Sequence, residues 1–470
     1  MERTSLPELL QGIQHRVIDL PGQMTVTGVC TDTRKLKPGD LFVALRGEKS
    51  DGHNYVRQAR EIGAVAAVVD RQADEEADGP LIVVEDTLRA LGEMARNYRR
   101  RFSIPIVGIT GSVGKTSVRE LTAAILRTRY RTLSSEKNFN NEIGVPQTLF
   151  ELKSEHEAAV IEMGMRALGE IDWLAEVTEP TIALITNIGH SHIERLGSRE
   201  GIAQAKAELL TRLPKGGIAI LPKHDDYFDY LTKRVPEGCS VISYSDSRLQ
   251  AADVCVERTD GHLSVTIRVE QFEAEVEASA PFLARNIAAA FAVGVALNIP
   301  FEAAQFGLQD VHSVGGRLRT VRGLDGRTVI DDCYNAAPES MAVALELLGR
   351  TEPPVGGRRV AIIGDMRELG NSGPALHQAV GRQVLDAKVD LLVTIGDLAE
   401  GIAHGAERCA AETKGHAPMH SHFSTTGSAA PQIESLLRPS DLVLVKGSRA
   451  MEMEQIVAVL TGEPGTSAHG

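Results

Sequence analysis

Residues 106–117 read Ile-Val-Gly-Ile-Thr-Gly-Ser-Val-Gly-Lys-Thr-Ser, an apolar β-branched run that ends in a glycine turn and enters an amphipathic helix. Such a turn binds phosphate. Gly111 and Gly114, with Ser112 and Val113 between them, let backbone N–H groups converge on an anion, and Lys115 adds a point charge. Thr116 offers a hydroxyl to Mg²⁺, and Ser117 follows in the first turn of a helix whose dipole favours negative charge. Val118, Leu121 and Ile125 recur at helical spacing and form the buried stripe behind the loop. Gly111 precedes Gly114-Lys115 by two residues where the usual loop has four, so this is a shorter variant, and the expected ligand is a nucleoside triphosphate.

Three further stretches carry groups toward the same chemistry. Glu162 ends the apolar run Ala-Ala-Val-Ile-Glu and places a carboxylate beside the phosphate-loop strand, where Mg²⁺ needs an oxygen ligand. The next strand ends Thr186-Asn187-Ile-Gly-His190-Ser-His192, which delivers two imidazoles to the same edge. Alone, a histidine pair at i and i+2 says little, and it lacks the cysteine or third histidine of a zinc site. Lys206, in the helical run Gly201-Ile-Ala-Gln-Ala-Lys-Ala-Glu-Leu, reads by itself as an ordinary solvated lysine. No Asn-Lys-x-Asp guanine signature is present, which argues against a GTPase.

The elements that must position these groups alternate between strand and helix. Strands are expected at 40–45, 64–69 and Leu81–Val84 with a helix at 55–62 between the first two, then a helix at 87–101 capped by Thr87 and ending in a solvated Arg99-Arg100-Arg101. After Ser103-Ile-Pro105 the β–α rhythm resumes with strands at 106–110, 158–163, 181–187 and 217–221, which predicts a mainly parallel sheet. Strict alternation over 264–277 (Val265, Ile267, Val269, then Phe272, Ala274, Val276) predicts an antiparallel hairpin added to that sheet. A helix at 284–297 and a hinge at 313–316 follow. From 317 onward, strands at 328–330, 359–363, Leu391–Ile395 and 442–445 predict a doubly wound, Rossmann-like α/β unit. The reading is a three-domain α/β chain divided at 1–103, 104–314 and 315–470, with a disordered tail at 462–470.

Composition narrows the partners. A net charge of −13 over 470 residues disfavours nucleic acid and anionic membrane as general partners. Five scattered cysteines, none in Cys-x-x-Cys spacing, read as free thiols of a reducing compartment. The first eleven residues have no signal-peptide pattern and no apolar run reaches membrane-spanning length, so a cytoplasmic protein without membrane insertion is expected.

Taken together, Thr110-Gly-Ser-Val-Gly-Lys-Thr116, Lys137-Asn-Phe-Asn-Asn-Glu-Ile-Gly-Val-Pro146, Glu162-Met-Gly164, Thr186-Asn187 followed by His192, and Asp331-Asp-Cys-Tyr-Asn-Ala-Ala-Pro338 resemble the muramyl ligase family. Gly364-Asp-Met-Arg-Glu-Leu-Gly370 and Lys446-Gly-Ser-Arg449 resemble the branch that adds D-alanyl-D-alanine to a UDP-linked muramoyl tripeptide. Asp32-Thr-Arg34, Pro38-Gly-Asp-Leu-Phe-Val43 and Asp51-Gly-His53 resemble that branch's first domain, so the likeness covers nearly the whole chain.

The resemblance implies an ATP-driven amide ligase of peptidoglycan synthesis, acting as a monomer through an acyl phosphate. Lys115 and Thr116 would hold the ATP phosphates and one Mg²⁺ with Glu162, and His192 would serve a second Mg²⁺. The position matching Lys206 is often carbamylated in the family, which replaces the solvated-lysine reading. Asn286 would read the adenine, while Arg317 and Asp332 would contact phosphate and ribose. Asn138, Asn140 and Asn141, with Tyr334 and Asn335, would line the route of the UDP-sugar peptide, and Thr33, Arg34 and His53 would face its UDP-muramoyl part. Val113 and Ala337 stand where asparagines are common in the family. The rivals are the sister ligase that adds the third amino acid and a non-catalytic ATP-binding regulator; lysine and diaminopimelate both stay open as the tripeptide's third residue.

Overall fold

The structure, a computed structural model, describes residues 1–470 apart from 20, 21, 23, 48, 49, 71–78, 137, 260, 261, 268, 269, 275–282, 310–317 and 463–470. The expected hinge at 313–316, Arg317, Val276 and the tail beyond Gly462 therefore lie outside the described residues.

Three main sheets organise the chain. The first orders Arg16–Ile18, Leu81–Val84, Ala66–Asp70, Asp40–Val43 and Gly28–Cys30, parallel except for its first edge strand. The central sheet has nine strands and puts the phosphate-loop strand Ile106–Thr110 between Ile182–Ile185 and Ala158–Glu162. Beyond Ile182–Ile185 come Ile218–Pro222, Ser240–Ser245 and Val254–Thr259, all parallel, and then His262–Ile267 and Glu270–Ala274 as the expected antiparallel addition. The third sheet is parallel from Thr328–Asp332 through Leu442–Lys446, Arg359–Gly364 and Leu391–Ile395 to Met419–Phe423, with Arg319–Arg322 antiparallel at one edge.

Register explains why the candidate groups meet. Glu162 pairs with Ile109 and Ile185 with Thr110, so three neighbouring parallel strands end level with one another at the carboxyl edge, where open α/β sheets hold ligands. The phosphate-loop strand is apolar on both faces because helices cover both, with Lys115–Arg127 and Leu283–Ala296 on one side.

One hydrophobic cluster runs from Leu6 through Tyr98 and Phe102 to Ala159, Leu174 and Leu231, so the first sheet and one face of the central sheet share a core. The helix Thr87–Arg99 forms the joint. Its cap is Asp86, whose carboxylate accepts the Leu88 and Arg89 N–H groups at 2.8 and 2.9 Å, rather than Thr87, which is buried. The expected solvated arginine end holds at Arg100 and Arg101, which are exposed, but not at Arg99. Arg99 is 9% exposed and donates to the carbonyls of Thr178 and Glu179, at the negative end of the helix Glu170–Thr178. Arg96 and Arg100 donate to the Glu179 carboxylate; burial pushes that carboxyl up, but the two arginines outweigh it and hold it below the ordinary range. Trp173 lies against Gly92, where a Cβ would come within 2.6 Å of the indole.

Because Arg99 satisfies carbonyls across this joint, Arg99→Ala should lower the stability of the first-plus-central unit by about 1–3 kcal/mol in denaturant unfolding followed at Trp173. A change below about 0.5 kcal/mol would show that the joint does not depend on it.

Candidate active site

The phosphate loop is held from the side by the segment that follows the strand Ile182–Ile185. Asn187 Oδ1 accepts the N–H groups of Ser112 and Val113 at 3.1 and 3.0 Å, Thr186 Oγ1 donates to the Val113 carbonyl at 2.6 Å, and the Gly189 N–H donates to Ser112 Oγ at 2.9 Å. Gly111 has φ +150° and its Cβ would overlap the Thr186 hydroxyl, while a Cβ on Gly114, at φ +84°, would come 2.9 Å from Asn286 Oδ1. Glycine is required at both positions by conformation and by close approach. The same contact places Asn286 directly beside the loop. Lys115 Nζ folds back onto the carbonyl of Gly111 at 2.8 Å, and Thr116 is buried behind it with Ser117 half-buried in the same turn.

Glu162 is 2% exposed and its two oxygens face different donors, Asn140 Nδ2 at 2.9 Å and Arg119 Nη1 at 3.4 Å. Arg119 is itself buried and also donates to the Glu136 carbonyl. The sequence reading missed it, although its place four residues after Lys115 puts both cations on one helix face.

Lys206 overturns the solvated reading. It is 1% exposed in the helix Arg199–Thr211, among Ile202, Ala203, Leu209 and Leu210. Burial first, and the charge of Lys115 second, push its ammonium well below the ordinary lysine range, and no carboxylate among the described residues pairs with it. A cation so placed is costly.

The third domain reaches the site through carboxylates that the sequence reading also missed. Glu339, in the first turn of the helix Pro338–Arg350, accepts from the His190 backbone N–H at 2.9 Å and lies 2.6 Å from its Nδ1. Gly189 lets that carboxylate approach, since a Cβ there would come 2.6 Å from the Glu339 carboxyl carbon. His192 has φ +68°, and its Nδ1 lies 2.6 Å from Glu368 Oε2; this neighbour holds the Glu368 carboxyl below the ordinary range despite partial burial. Asp332 is buried against Lys446 Nζ at 2.5 Å, and Lys446 also donates to the Asn335 carbonyl. The Tyr334 hydroxyl bridges back to Asn138 Oδ1 at 2.6 Å.

Other expected residues have local duties in this structure. Asn141 Oδ1 accepts the Gly144 N–H at 2.8 Å and so opens the helix Gly144–Phe150. Thr33 meets Gln58 at 3.4 Å and Arg34 forks onto Asp32. His53 uses both ring nitrogens internally, Nδ1 at Asp51 and Nε2 as acceptor of the Asp70 N–H. Among the described residues no hydrogen bond or ion pair links Thr33, Arg34 or His53 to the phosphate loop, and no three His, Cys, Asp or Glu side chains form a ready-made metal cage.

Three family descriptions match successive parts of the chain: Mur ligase family, catalytic domain, over 25–99; Mur ligase middle domain, over 109–294; and Mur ligase, glutamate ligase domain, over 316–449. The chain is 37% identical over 454 residues to the UDP-N-acetylmuramoyl-tripeptide--D-alanyl-D-alanine ligase of Synechocystis, covering 96% of this chain and 95% of that one. The chain belongs to the Mur ligase family. Solved structures agree. MurF from Acinetobacter baumannii superposes with a TM-score of 0.87 at 30% identity, covering 97% and 98% of the two chains. MurF from Thermotoga maritima, solved in complex with ADP, gives 0.78 at 25% identity over 93% and 97%. In this Mur ligase the third unit reaches the carboxyl edge of the central sheet, where Glu339 meets His190 and Glu368 meets His192.

Cys333 stands among these groups, between Asp332 and Tyr334. Burial first, then the Asp331 carboxylate beside it, push its thiol far above the ordinary cysteine range, so no thiolate is available at neutral pH. Cys333→Ser should therefore keep activity within about threefold of wild type, whereas a loss beyond about 10²-fold in a folded variant would reveal a chemical role.

Proposed function

We propose that this Mur ligase joins D-alanyl-D-alanine to UDP-N-acetylmuramoyl-tripeptide, driven by ATP, and so completes the muramoyl-pentapeptide precursor of peptidoglycan in the cytoplasm. The observation that carries the reading is its likeness, over more than nine-tenths of both chains, to a ligase of that name. Support comes from the third sheet, where Gly364-Asp-Met-Arg-Glu-Leu-Gly370 and Lys446-Gly-Ser-Arg449 follow the ends of adjacent strands. No helix among the described residues is long and apolar enough to cross a membrane, in keeping with a water-soluble substrate pair.

The division of labour follows the chain. Residues 1–103, through Thr33, Arg34 and His53, take the UDP-muramoyl end; 104–314 take the ATP phosphates; 315–470 take the nucleoside and the dipeptide. Asn286, beside Gly114, would read the base, and Asp332 with Arg317 would meet ribose and phosphate. Tyr334 meets Asn138 across the second and third units, and with Asn140 and Asn335 they would line a route for a peptide passing between them.

The donor set suits Mg²⁺, which keeps waters and takes one or two carboxylates plus substrate phosphate oxygens rather than a closed protein cage. Thr116 and Glu162 would hold one ion, His192 and a carbamylated Lys206 a second. Bound there, Mg²⁺ supplies charge neutralisation of the phosphate oxygens. Lys206 fits the carbamate on physical grounds: its depressed basicity leaves a free electron pair to form the N–C bond with CO₂, and one N-bound proton leaves to solvent. The product is an anion facing Lys115, where the free amine gives that cation no counter-charge.

In the reaction, a carboxylate oxygen of the tripeptide attacks the γ-phosphorus and ADP leaves, giving an acyl phosphate. The amine of D-alanyl-D-alanine attacks the acyl carbon, phosphate leaves, and the nitrogen loses its extra proton. Two anions must approach in the first step, so Lys115 turns from the Gly111 carbonyl to the phosphate and spreads the developing charge. ADP release should depend jointly on UDP-muramoyl-tripeptide and D-alanyl-D-alanine, and Lys115→Ala should lower it by about 10³-fold or more. Full-rate ADP release with ATP alone would sink the ligase reading.

A further inference from the structure

The segment from Thr186 to His192 meets the phosphate loop on one side, through Asn187 and Gly189, and sends His190 and His192 toward the third domain. Its other side is gripped by side chains that belong to none of the nucleotide motifs. Asp225 Oδ2 accepts the Ile188 N–H at 2.7 Å, and Arg199 Nη2 donates to the Ile188 carbonyl at 3.0 Å. The Tyr244 hydroxyl lies 2.9 and 2.8 Å from the carbonyls of Ile185 and Thr186.

The gripping groups are themselves fixed. Asp225 Oδ1 accepts the Tyr227 N–H at 2.9 Å, Arg199 Nη1 meets Asp226 Oδ2 at 3.0 Å, and the Arg199 guanidinium lies over the Tyr227 ring. Arg199 is also the first residue of the helix that carries Lys206. The Ile188 peptide thus has its N–H, its carbonyl and its buried side chain all engaged, by three different parts of the chain.

We propose that Asp225 and Arg199 are positioning residues that clamp the Ile188 peptide and thereby set Asn187, His192 and the Lys206 helix in register with the phosphate loop. The proposal rests on the ATP-dependent ligase reading for its consequence, while the clamp itself is testable without turnover. Neither residue touches substrate in this account. Both act through the backbone they hold, as outer-shell partners do at metal and phosphate sites.

Asp225→Asn is the informative change, because an amide has one acceptor oxygen where the carboxylate uses two, so either Ile188 or Tyr227 loses its partner. In the ligand-free full-length enzyme, hydrogen exchange of peptides covering 186–192 should quicken by about tenfold or more, with a melting temperature within about 3 °C of wild type. Affinity for a non-hydrolysable ATP analogue in the presence of Mg²⁺ should weaken by about 10–100-fold. Arg199→Lys, which keeps the charge and loses the fork, should move both readouts the same way by a smaller factor. Wild-type exchange and wild-type analogue affinity in both variants would overturn the clamp, as would losses that simply track a lowered melting temperature. Failure of the wild type to ligate would instead fall on the ligase reading, since exchange in the ligand-free enzyme still decides the clamp.

Discussion

The constraint on which the rest of the site depends is a lysine ammonium taken out of water beside a second cation. Lys206 sits inside the apolar stripe of its helix, and the charge it faces is that of Lys115. At an effective dielectric near 20, two like charges several ångströms apart repel by about 2–4 kcal/mol, on top of the desolvation of the buried one. A fold would not keep that arrangement for stability. The proposed carbamate reverses the sign at this one point, so that Lys115, the phosphates and the metal ligands form an alternating array instead of a repelling pair. The apolar wall around Lys206 then has a use, since it disfavours the protonated amine that CO₂ cannot attack.

The same logic separates what is rigid from what moves. The first and central units share a continuous apolar core, and their joint adds buried arginine-to-carbonyl bonds, which resist sliding. The third unit has its own cores and meets the central one through polar pairs, Tyr334 with Asn138, Glu339 with His190 and Glu368 with His192, and through Ile193, which packs against the cores of both. Partly exposed pairs of this kind are worth little individually and exchange readily for others. Asn138, His192 and Tyr334 are also residues the ligase reading needs for substrate and metal. Ligands and interdomain contacts therefore draw on the same groups, which gives nucleotide and peptide a direct means of biasing how the third domain sits.

Much of this was legible in the sequence where a local rule decides the outcome. β-branched runs marked the strands Ile106–Thr110 and Leu391–Ile395, and alternation from residue 264 marked the antiparallel addition to the central sheet. The glycine turn with Lys115 and Thr116 was readable because its chemistry is contiguous. What failed was phase. Lys206 lies at i+4, i+3, i−3 and i−4 from Ile202, Ala203, Leu209 and Leu210, so the periodicity placed it inside while its residue type argued for solvent. Arg99 shares a face with Gly92 and Ala95, both buried, yet three consecutive arginines read as a solvated end. Arg119, Glu339 and Asp225 belong to no contiguous motif, and Glu368 lies in one, residues 364–370, that does not itself point to His192. The contacts that tie them to Glu162, Ile188, His190 and His192 span 37 or more residues, and only the level ends of parallel strands and the approach of the third domain bring them together.

The most direct test of the central claim is to equilibrate the enzyme with ¹³C-bicarbonate and look for a protein-bound carbamate carbon by ¹³C NMR. The account predicts one carbamate resonance in wild type that is missing in Lys206→Ala, with activity in CO₂-depleted buffer falling and returning when bicarbonate is restored. A fully active enzyme with no such resonance, or with one that survives Lys206→Ala unchanged, would contradict it.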